Sequence, residues 1–204
     1  MIYEFRTYTL KPGATPEVEA MFAENLPHRE KFSKLTAFWH TEVGPLNQII
    51  HVWEYKDVLE RVRIREESAK DPHWPPPIGK YIAGMESEIF FPFPGSPELK
   101  PGSNGPVYEM RSYIVKPGTL PKMWELAREK LPERETLSPL TCMMYTDSGP
   151  LNKFMHIWAY KSMDERMAIR GKAVETGKWP PATREFLVTM ENKIMLPASF
   201  SPLQ

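Results

Sequence analysis

The sequence has one cysteine, no net charge and no long hydrophobic run. The single cysteine, Cys142, excludes an intrachain disulfide and is typical of a reducing compartment. Lysine plus arginine equals aspartate plus glutamate, 26 each, so the basic surplus typical of nucleic-acid or anionic-lipid binding is missing. No apolar run reaches the ~18 residues that span a bilayer, and the first residues lack the features of a signal peptide. We therefore expect a cytoplasmic protein that binds neither nucleic acid nor membrane.

The motifs of several common site types are also missing. The sequence contains no glycine-rich phosphate loop, no Gly-x-Ser-x-Gly nucleophile elbow and no Cys-x-x-Cys pair. No residue spacing supports haem or flavin. We therefore expect neither a metal ion nor a cofactor.

The same pattern occurs twice along the chain, offset by about 105 residues. IYEFRTYTLKPG at 2–13 returns as VYEMRSYIVKPG at 107–118, and TEVGPLNQIIHVWEYK at 41–56 returns as TDSGPLNKFMHIWAYK at 146–161. Roughly 40% of the aligned positions are identical, far above the level of unrelated segments. This duplication predicts two repeats, residues 1–92 and 107–204, joined by a proline- and glycine-rich linker at 93–106.

Hydrophobic periodicity and turn residues predict the order β-α-β-β-α-β in each repeat. In the first repeat we predict strands at 2–10, 35–42, 46–55 and 85–91. This order is the ferredoxin-like motif, an antiparallel sheet that carries both helices on one face. The other face would be bare and would need a cover. We therefore predict an α+β fold in which the two sheets pack together into an intrachain barrel.

Side chains alternate between the two faces of a strand. Ile50 and Val52 share one face of the third strand, and we expect this face beneath the helices. His51 and Trp53 would then face the opposite sheet. The neighbouring first strand adds three polar residues to that face: Glu4, Arg6 and Tyr8. Charged groups are costly to bury without partners, so this pattern predicts a polar ligand cavity between the two sheets.

These polar and aromatic side chains are the candidate site residues. In an enzyme, His51 would be the general acid–base because its intrinsic pKa lies near neutrality. Arg6 would hold an anionic or carbonyl oxygen and would pair with Glu4. The remaining candidates would bind or orient the ligand in either repeat: Tyr8, Trp39, His40, Asn47, Trp53, Glu109, Arg111, Tyr113, Asn152, His156 and Trp158. Because Trp39 and His40 have no twins in the second repeat, one-sided chemistry is expected near them.

A packed core without a ligand would explain the same residues. Glu4 and Arg6 could simply neutralise each other, and His51 could have both ring nitrogens satisfied. The tryptophans could only fill the barrel, and the loss of Trp39 and His40 from one copy could be drift. A void lined by the polar residues would favour ligand binding, whereas a solid interior would favour an interaction module.

The repeated motifs resemble the NIPSNAP family. The resemblance is carried by YEFRTYTLKPG, TEVGPLNQIIHVWEYKDVLERVRIR and MESEIFFP, and by their second copies YEMRSYIVKPG, TDSGPLNKFMHIWAYKSMDERMAIR and MENKIMLP. It covers nearly the whole chain as two tandem domains and implies the dimeric α+β barrel fold. The barrel superfamily includes cofactor-free monooxygenases, isomerases and haem-degrading enzymes, which is an analogy of fold only.

Residues and resemblance together predict a small organic ligand, planar or anionic, bound between the two sheets. A cofactor-independent enzyme of the monooxygenase or isomerase type is one form of this hypothesis. The alternative is a non-catalytic interaction or structural module with a solid barrel core. The sequence leaves open whether the protein is an enzyme, what it binds and whether it forms a homo-oligomer.

Overall fold

The computed structural model describes residues 1–204, and each repeat has the predicted β-α-β-β-α-β order. The first repeat contains β1 (Ile2–Leu10), α1 (Thr15–Arg29), β2 (Leu35–Val43), β3 (Gln48–Tyr55), α2 (Val58–Ser68) and β4 (Ile82–Pro92). The second contains β5 (Val107–Val115), α3 (Leu120–Glu135), β6 (Leu140–Ser148), β7 (Lys153–Tyr160), α4 (Met163–Glu175) and β8 (Leu187–Pro197). None of the helices is both long enough and apolar enough to cross a membrane.

The second helix of each repeat begins at a capping box. The Asp57 carboxylate accepts a hydrogen bond from the Glu60 backbone N–H at 2.9 Å, and the Glu60 side chain accepts one from Lys56 N–H at 2.6 Å. At the start of α4, the Ser162 hydroxyl likewise accepts a bond from Glu165 N–H at 3.0 Å. The Asp57 and Ser162 side chains satisfy N–H groups that the first helical turn leaves without partners, and Glu60 satisfies the N–H of Lys56 just before the cap.

The eight strands form one closed antiparallel barrel in the order β1-β3-β2-β8-β5-β7-β6-β4. In each repeat the first and third strands are central neighbours, with Arg6 opposite His51 and Arg111 opposite His156. The two repeats meet edge to edge, because β2 pairs with β8 and β4 pairs with β6. Closure leaves no free sheet edge. The predicted intrachain α+β barrel of two ferredoxin-like repeats is confirmed.

The barrel interior is an apolar core shared by both repeats. It contains a cluster of 17 buried residues, among them Phe5, Val52, Met110 and Ile157. The rings of Phe5 and Phe90 pack edge to face with centroids 5.0 Å apart. This apolar packing joins the two halves of the chain.

The predicted assignment of the two sheet faces was wrong. Ile50 and Val52 belong to the barrel core, whereas Trp53 packs with the helix-covered cluster of the first repeat. Strand alternation shows which residues share a face, but not which face the helices cover. The residues of α2 indicate which face of the sheet it covers. This helix buries little apolar surface, and its Arg61 donates a hydrogen bond to the Glu4 carboxylate. The expected ligand cavity between the two sheets, lined by Glu4, Arg6, His51 and Trp53, is therefore not formed.

One end of the barrel interior is polar and joins unlike residues of the two repeats. Lys153 donates to the Glu88 carboxylate at 2.6 Å, and Lys193 donates to the Gln48 side chain at 2.8 Å. Gln48 and Glu88 occupy the positions that Lys153 and Lys193 occupy in the second repeat. Two copies of the second repeat would bring the lysines together and repel each other. The pairs thus favour closure of one repeat on the other.

The segment at 93–106 packs against the barrel. Leu99 is only 4% exposed and belongs to the barrel core, and Phe93 stacks on Trp124 with ring centroids 4.7 Å apart. Gly102 pairs with Leu203, which lies in the same core. This segment therefore closes the apolar end of the barrel in addition to connecting the repeats.

Truncation of Leu99 should destabilise the protein. We expect Leu99→Ala to lower the free energy of unfolding by about 2–5 kcal/mol, the usual cost of removing a buried leucine side chain. The neighbouring Lys100 pairs with an exposed glutamate, so Lys100→Ala is the matched control and should change stability by less than about 0.5 kcal/mol. Chemical denaturation measures both values. Equal, near-zero effects would mean that this segment is only a spacer.

Candidate functional site

The polar face of the first repeat forms a cavity beneath its helices. The cavity has a volume of about 340 Å³. It lies between the outer face of β1 and β3, residues of α1 and α2, and the Trp74-Pro75-Pro76 segment that precedes β4. Six of its lining residues carry its chemistry: Arg6, Tyr8, Arg29, His51, Trp53 and Arg65.

Glu4 is the buried anchor behind this cavity. Its side chain is completely buried, and Oε1 accepts hydrogen bonds from Arg6, Arg61 and Ser87 at 2.8, 2.7 and 2.7 Å. Burial by itself would raise the pKa of Glu4, but these donors outweigh it and lower the pKa to about 2. The carboxylate is ionised at neutral pH and ties β1, β4 and α2 together.

His51 is held as a neutral hydrogen-bond donor. Its Nδ1 accepts the Trp53 indole N–H at 2.7 Å, which leaves the imidazole proton on Nε2. Burial, together with the positive charge of Arg6, lowers the pKa of His51 well below 6.5. The near-neutral pKa that made His51 an acid–base candidate is thus lost on folding. Nε2 is buried and has no hydrogen-bond partner within the protein, so it is an unsatisfied donor.

Arg29 is a buried cation of the site that the sequence analysis missed. Its guanidinium lies 4.3 Å from the centroid of the Trp53 ring. It donates hydrogen bonds to the Ser33 hydroxyl at 2.8 Å and the Tyr55 hydroxyl at 3.0 Å. Its partners are therefore an aromatic face and two hydroxyl groups. The segment Leu-Pro-x-Arg-Glu occurs in both repeats, at 26–30 and 131–135, and is the signal that could have identified it.

Positive charge is in excess around the cavity. Three lining residues are arginines, Arg6, Arg29 and Arg65, and the buried carboxylate beside them is Glu4. Arg6 also donates to the Tyr8 hydroxyl at 2.8 Å, which fixes the guanidinium beside another residue that lines the cavity. Guanidinium groups in a partly desolvated cavity attract anions and suit the geometry of carboxylates.

The second repeat preserves this arrangement. Trp158 donates its indole N–H to His156 Nδ1 at 2.6 Å, and His156 Nε2 is again buried without a partner. Burial and the charge of Arg111 lower the pKa of His156 to about 3. Glu109 is completely buried and accepts a hydrogen bond from Arg111 at 2.8 Å. Here the space beneath the helices is divided into two adjoining cavities of about 240 Å³ each.

Most of the predicted site residues are brought together, although beneath the helices rather than between the sheets. In the first repeat these residues are Glu4, Arg6, Tyr8, His51 and Trp53. Their twins form the second group: Glu109, Arg111, Tyr113, His156 and Trp158. The reasoning from alternation therefore grouped these residues, and only their environment differs from the expectation.

Four predicted site residues lie away from both groups. Trp39 is in the barrel core, since it shares the inward face of β2 with Ala37. His40 faces outward, where Nδ1 lies 2.7 Å from a carboxylate oxygen of Glu19, and this hydrogen bond raises the pKa of His40. Asn47 and Asn152 adopt left-handed backbone conformations, with φ of 58° and 57°, just before β3 and β7. These two asparagines belong to turns, where their residue type is favoured.

Acid should remove the stabilisation that Glu4 provides. Its pKa is lowered from 4.5 to about 2, so its contribution is complete above pH 4.5 and is lost as the pH falls through about 2. At neutral pH, wild type should be more stable than Glu4→Gln, and this difference should shrink by roughly 3 kcal/mol across that window. Urea unfolding at a series of pH values measures it. His156 and Glu109 lie in the other repeat and titrate in both proteins, so parallel profiles would contradict the assignment.

Comparison with known proteins finds the same duplication. The NIPSNAP family model matches residues 3–97 and again 108–202. NipSnap homolog 3A of Homo sapiens is 33% identical over 215 residues, covering 100% of this chain and 86% of the relative. The NipSnap homolog of Dictyostelium discoideum is 30% identical over 203 residues, covering 96% of this chain and 87% of the relative.

The whole barrel also resembles a structure of low sequence identity. A proposed monooxygenase from Lactobacillus acidophilus NCFM superposes with a TM-score of 0.65 at 13% identity, covering 97% of this chain and 94% of that chain. A likeness of this kind shows a shared fold and carries no activity with it. The two family matches span nearly all of the sequence, and the chain belongs to the NIPSNAP family.

Proposed function

We propose that the cavity beneath the helices of the first repeat binds a small planar organic anion, such as an aromatic carboxylate. The buried Nε2–H of His51 carries this proposal, because it has no acceptor in the protein and the His51 side chain lines a cavity together with three arginines. An unpaired buried donor costs free energy that an acceptor on a ligand would recover. The acceptor that suits a donor among guanidinium groups is an anionic oxygen.

The aromatic walls support the planar part of the ligand. Trp53 and Trp74 line the cavity with ring centroids 5.9 Å apart, and the Tyr8 ring lies 4.8 Å from His51. Rings at these distances offer faces and edges against which an aromatic ligand can pack. A volume of about 340 Å³ is at the lower end of the range for sites of small organic molecules. The ligand is therefore of the size of one substituted ring.

A cofactor-independent enzyme of the monooxygenase or isomerase type is the second candidate function. The His51 Nε2–H and the arginine charges would stabilise negative charge developing on a carbonyl or phenolic oxygen. Neither His51 nor Glu4 is suited to remove a proton from a ligand. His51 Nε2 already carries a proton, and the hydrogen-bond donors around Glu4 keep its carboxylate ionised and weakly basic. His51 is thus a candidate for oxyanion stabilisation rather than for general base catalysis.

A non-catalytic module was the other alternative, and the packed barrel core agrees with it. The cavity beneath the helices favours ligand binding, because the unsatisfied histidine lines it together with three arginines. Binding of an anion is accordingly the function that the geometry supports best.

Benzoate should bind to the first repeat through His51. We expect His51→Phe to weaken benzoate binding by about tenfold or more, because it removes the Nε2–H donor. His51→Gln should keep part of the affinity, since an amide N–H can occupy nearly the same position. Benzamide, which has the same shape without the charge, should bind wild type at least about tenfold more weakly. Isothermal titration calorimetry measures these affinities.

The twin histidine supplies the matched control. His156→Phe makes the same substitution in the second repeat and should leave the benzoate affinity of the first unchanged. Circular dichroism would verify that each variant is folded. Because the second repeat has the same donors, the decisive comparison is made in the His156→Phe background. Unchanged benzoate affinity when His51→Phe is added there, or equal affinities for benzoate and benzamide, would contradict the proposed function.

A further inference from the structure

We propose that the second repeat holds a second, non-equivalent site, which takes an aromatic anion about one ring larger than the first site accepts. This inference rests on the proposed function, because the two repeats share the same hydrogen-bond donors. It depends chiefly on the loss of one ring within the duplicated framework, since Ala127 occupies the position of Phe22.

The groups that would recognise an anion are kept in the second repeat. His156 is fully buried, and its Nε2 has no partner, as in the first repeat. Arg134 lies 4.0 Å from the centroid of the Trp158 ring, and Arg111 donates to the Tyr113 hydroxyl at 2.6 Å. The second site would therefore attract the same class of ligand, an organic anion with a planar body.

The space beside the histidine differs between the repeats. In the first repeat the Phe22 ring fills it, with centroid distances of 5.1 Å to His51 and 5.8 Å to Trp74. In the second repeat Ala127 and His156 line a cavity of about 240 Å³. Met123 and Phe154, which replace the smaller Val18 and Ile49, occupy part of the space that the missing ring leaves. Replacing a phenylalanine ring by a methyl group leaves room for about one aromatic ring.

This apolar chamber adjoins the cationic part of the site. A second cavity of about 240 Å³ is lined by Arg111, Arg134 and Arg170. Tyr113 and Trp179 line both cavities, so the two are adjacent and the inferred ligand would span them. At the rim, Thr183 and Arg184 stand where the first repeat has Ile78 and Gly79. A bicyclic aromatic carboxylate fits this combination of an apolar chamber and arginine charges.

Exchanging Phe22 and Ala127 between the repeats tests the inference with 2-naphthoate as the large probe and benzoate as the small one. Wild type should bind one 2-naphthoate, and Ala127→Phe should weaken that binding by at least about tenfold. Phe22→Ala should create a second 2-naphthoate site and raise the stoichiometry measured by calorimetry from one to two. Because this last result is a gain of binding, it tests the inference even where Ala127→Phe fails to fold.

Histidine substitutions assign each probe to a repeat. His156→Phe should abolish 2-naphthoate binding and spare benzoate binding at the first repeat. One outcome would overturn the second-site inference and leave the proposed function intact. In that outcome benzoate binds through His51, and 2-naphthoate binding is lost in His51→Phe but kept in His156→Phe. The inference is likewise overturned where Phe22→Ala adds no 2-naphthoate site. Binding of neither probe to wild type would overturn the proposed function as well.

Discussion

A completely buried carboxylate in each repeat, Glu4 or Glu109, determines how the second helix packs on the sheet. Such a charge is tolerated only when it is paired, and here its partners are guanidinium groups from a strand and a helix. These ion pairs turn the polar face of each sheet toward its helices and leave the apolar face for the barrel core. Because the arginines outnumber the carboxylate, the cavity beside it remains positively charged. The anchor of the fold and the electrostatics of the site thus have one origin.

The fold could be predicted largely from the duplication. Two copies of β-α-β-β-α-β with bare sheet faces imply closure within one chain, and the barrel has that topology. The covered face could not be deduced from the strands, since both faces of β3 carry large apolar groups, Val52 on one and Trp53 on the other. Strand alternation separates the residues into two faces but does not distinguish the face that the helices cover from the face in the barrel. The arginines of α2 were the signal for the covered face, because a helix that packs Arg61 against a sheet needs a carboxylate such as Glu4 on that face.

The candidate site was predictable as a group of residues but not in its chemistry. Alternation placed Arg6, His51 and Trp53 on one face whichever side the helices cover. The protonation state of His51 depends on the indole N–H two residues away and on burial, and neither is visible in a pattern of residue types. Arg29 enters from α1, so its contact with Trp53 depends on tertiary packing. The repeats have diverged where the fold tolerates it, at Phe22 and Ala127 in the site.

The central claim is that His51 and His156, which line cavities beneath the helices, are neutral Nε2–H donors. Nitrogen-15 NMR of the imidazole side chains between about pH 5 and 8 tests it directly, with His51→Phe and His156→Phe to assign the signals. We predict that both histidines keep a protonated Nε2 and an unprotonated Nδ1 throughout this range, with no titration. A midpoint near the ordinary value of 6.5 for either ring, or a proton on Nδ1 in place of Nε2, would contradict it.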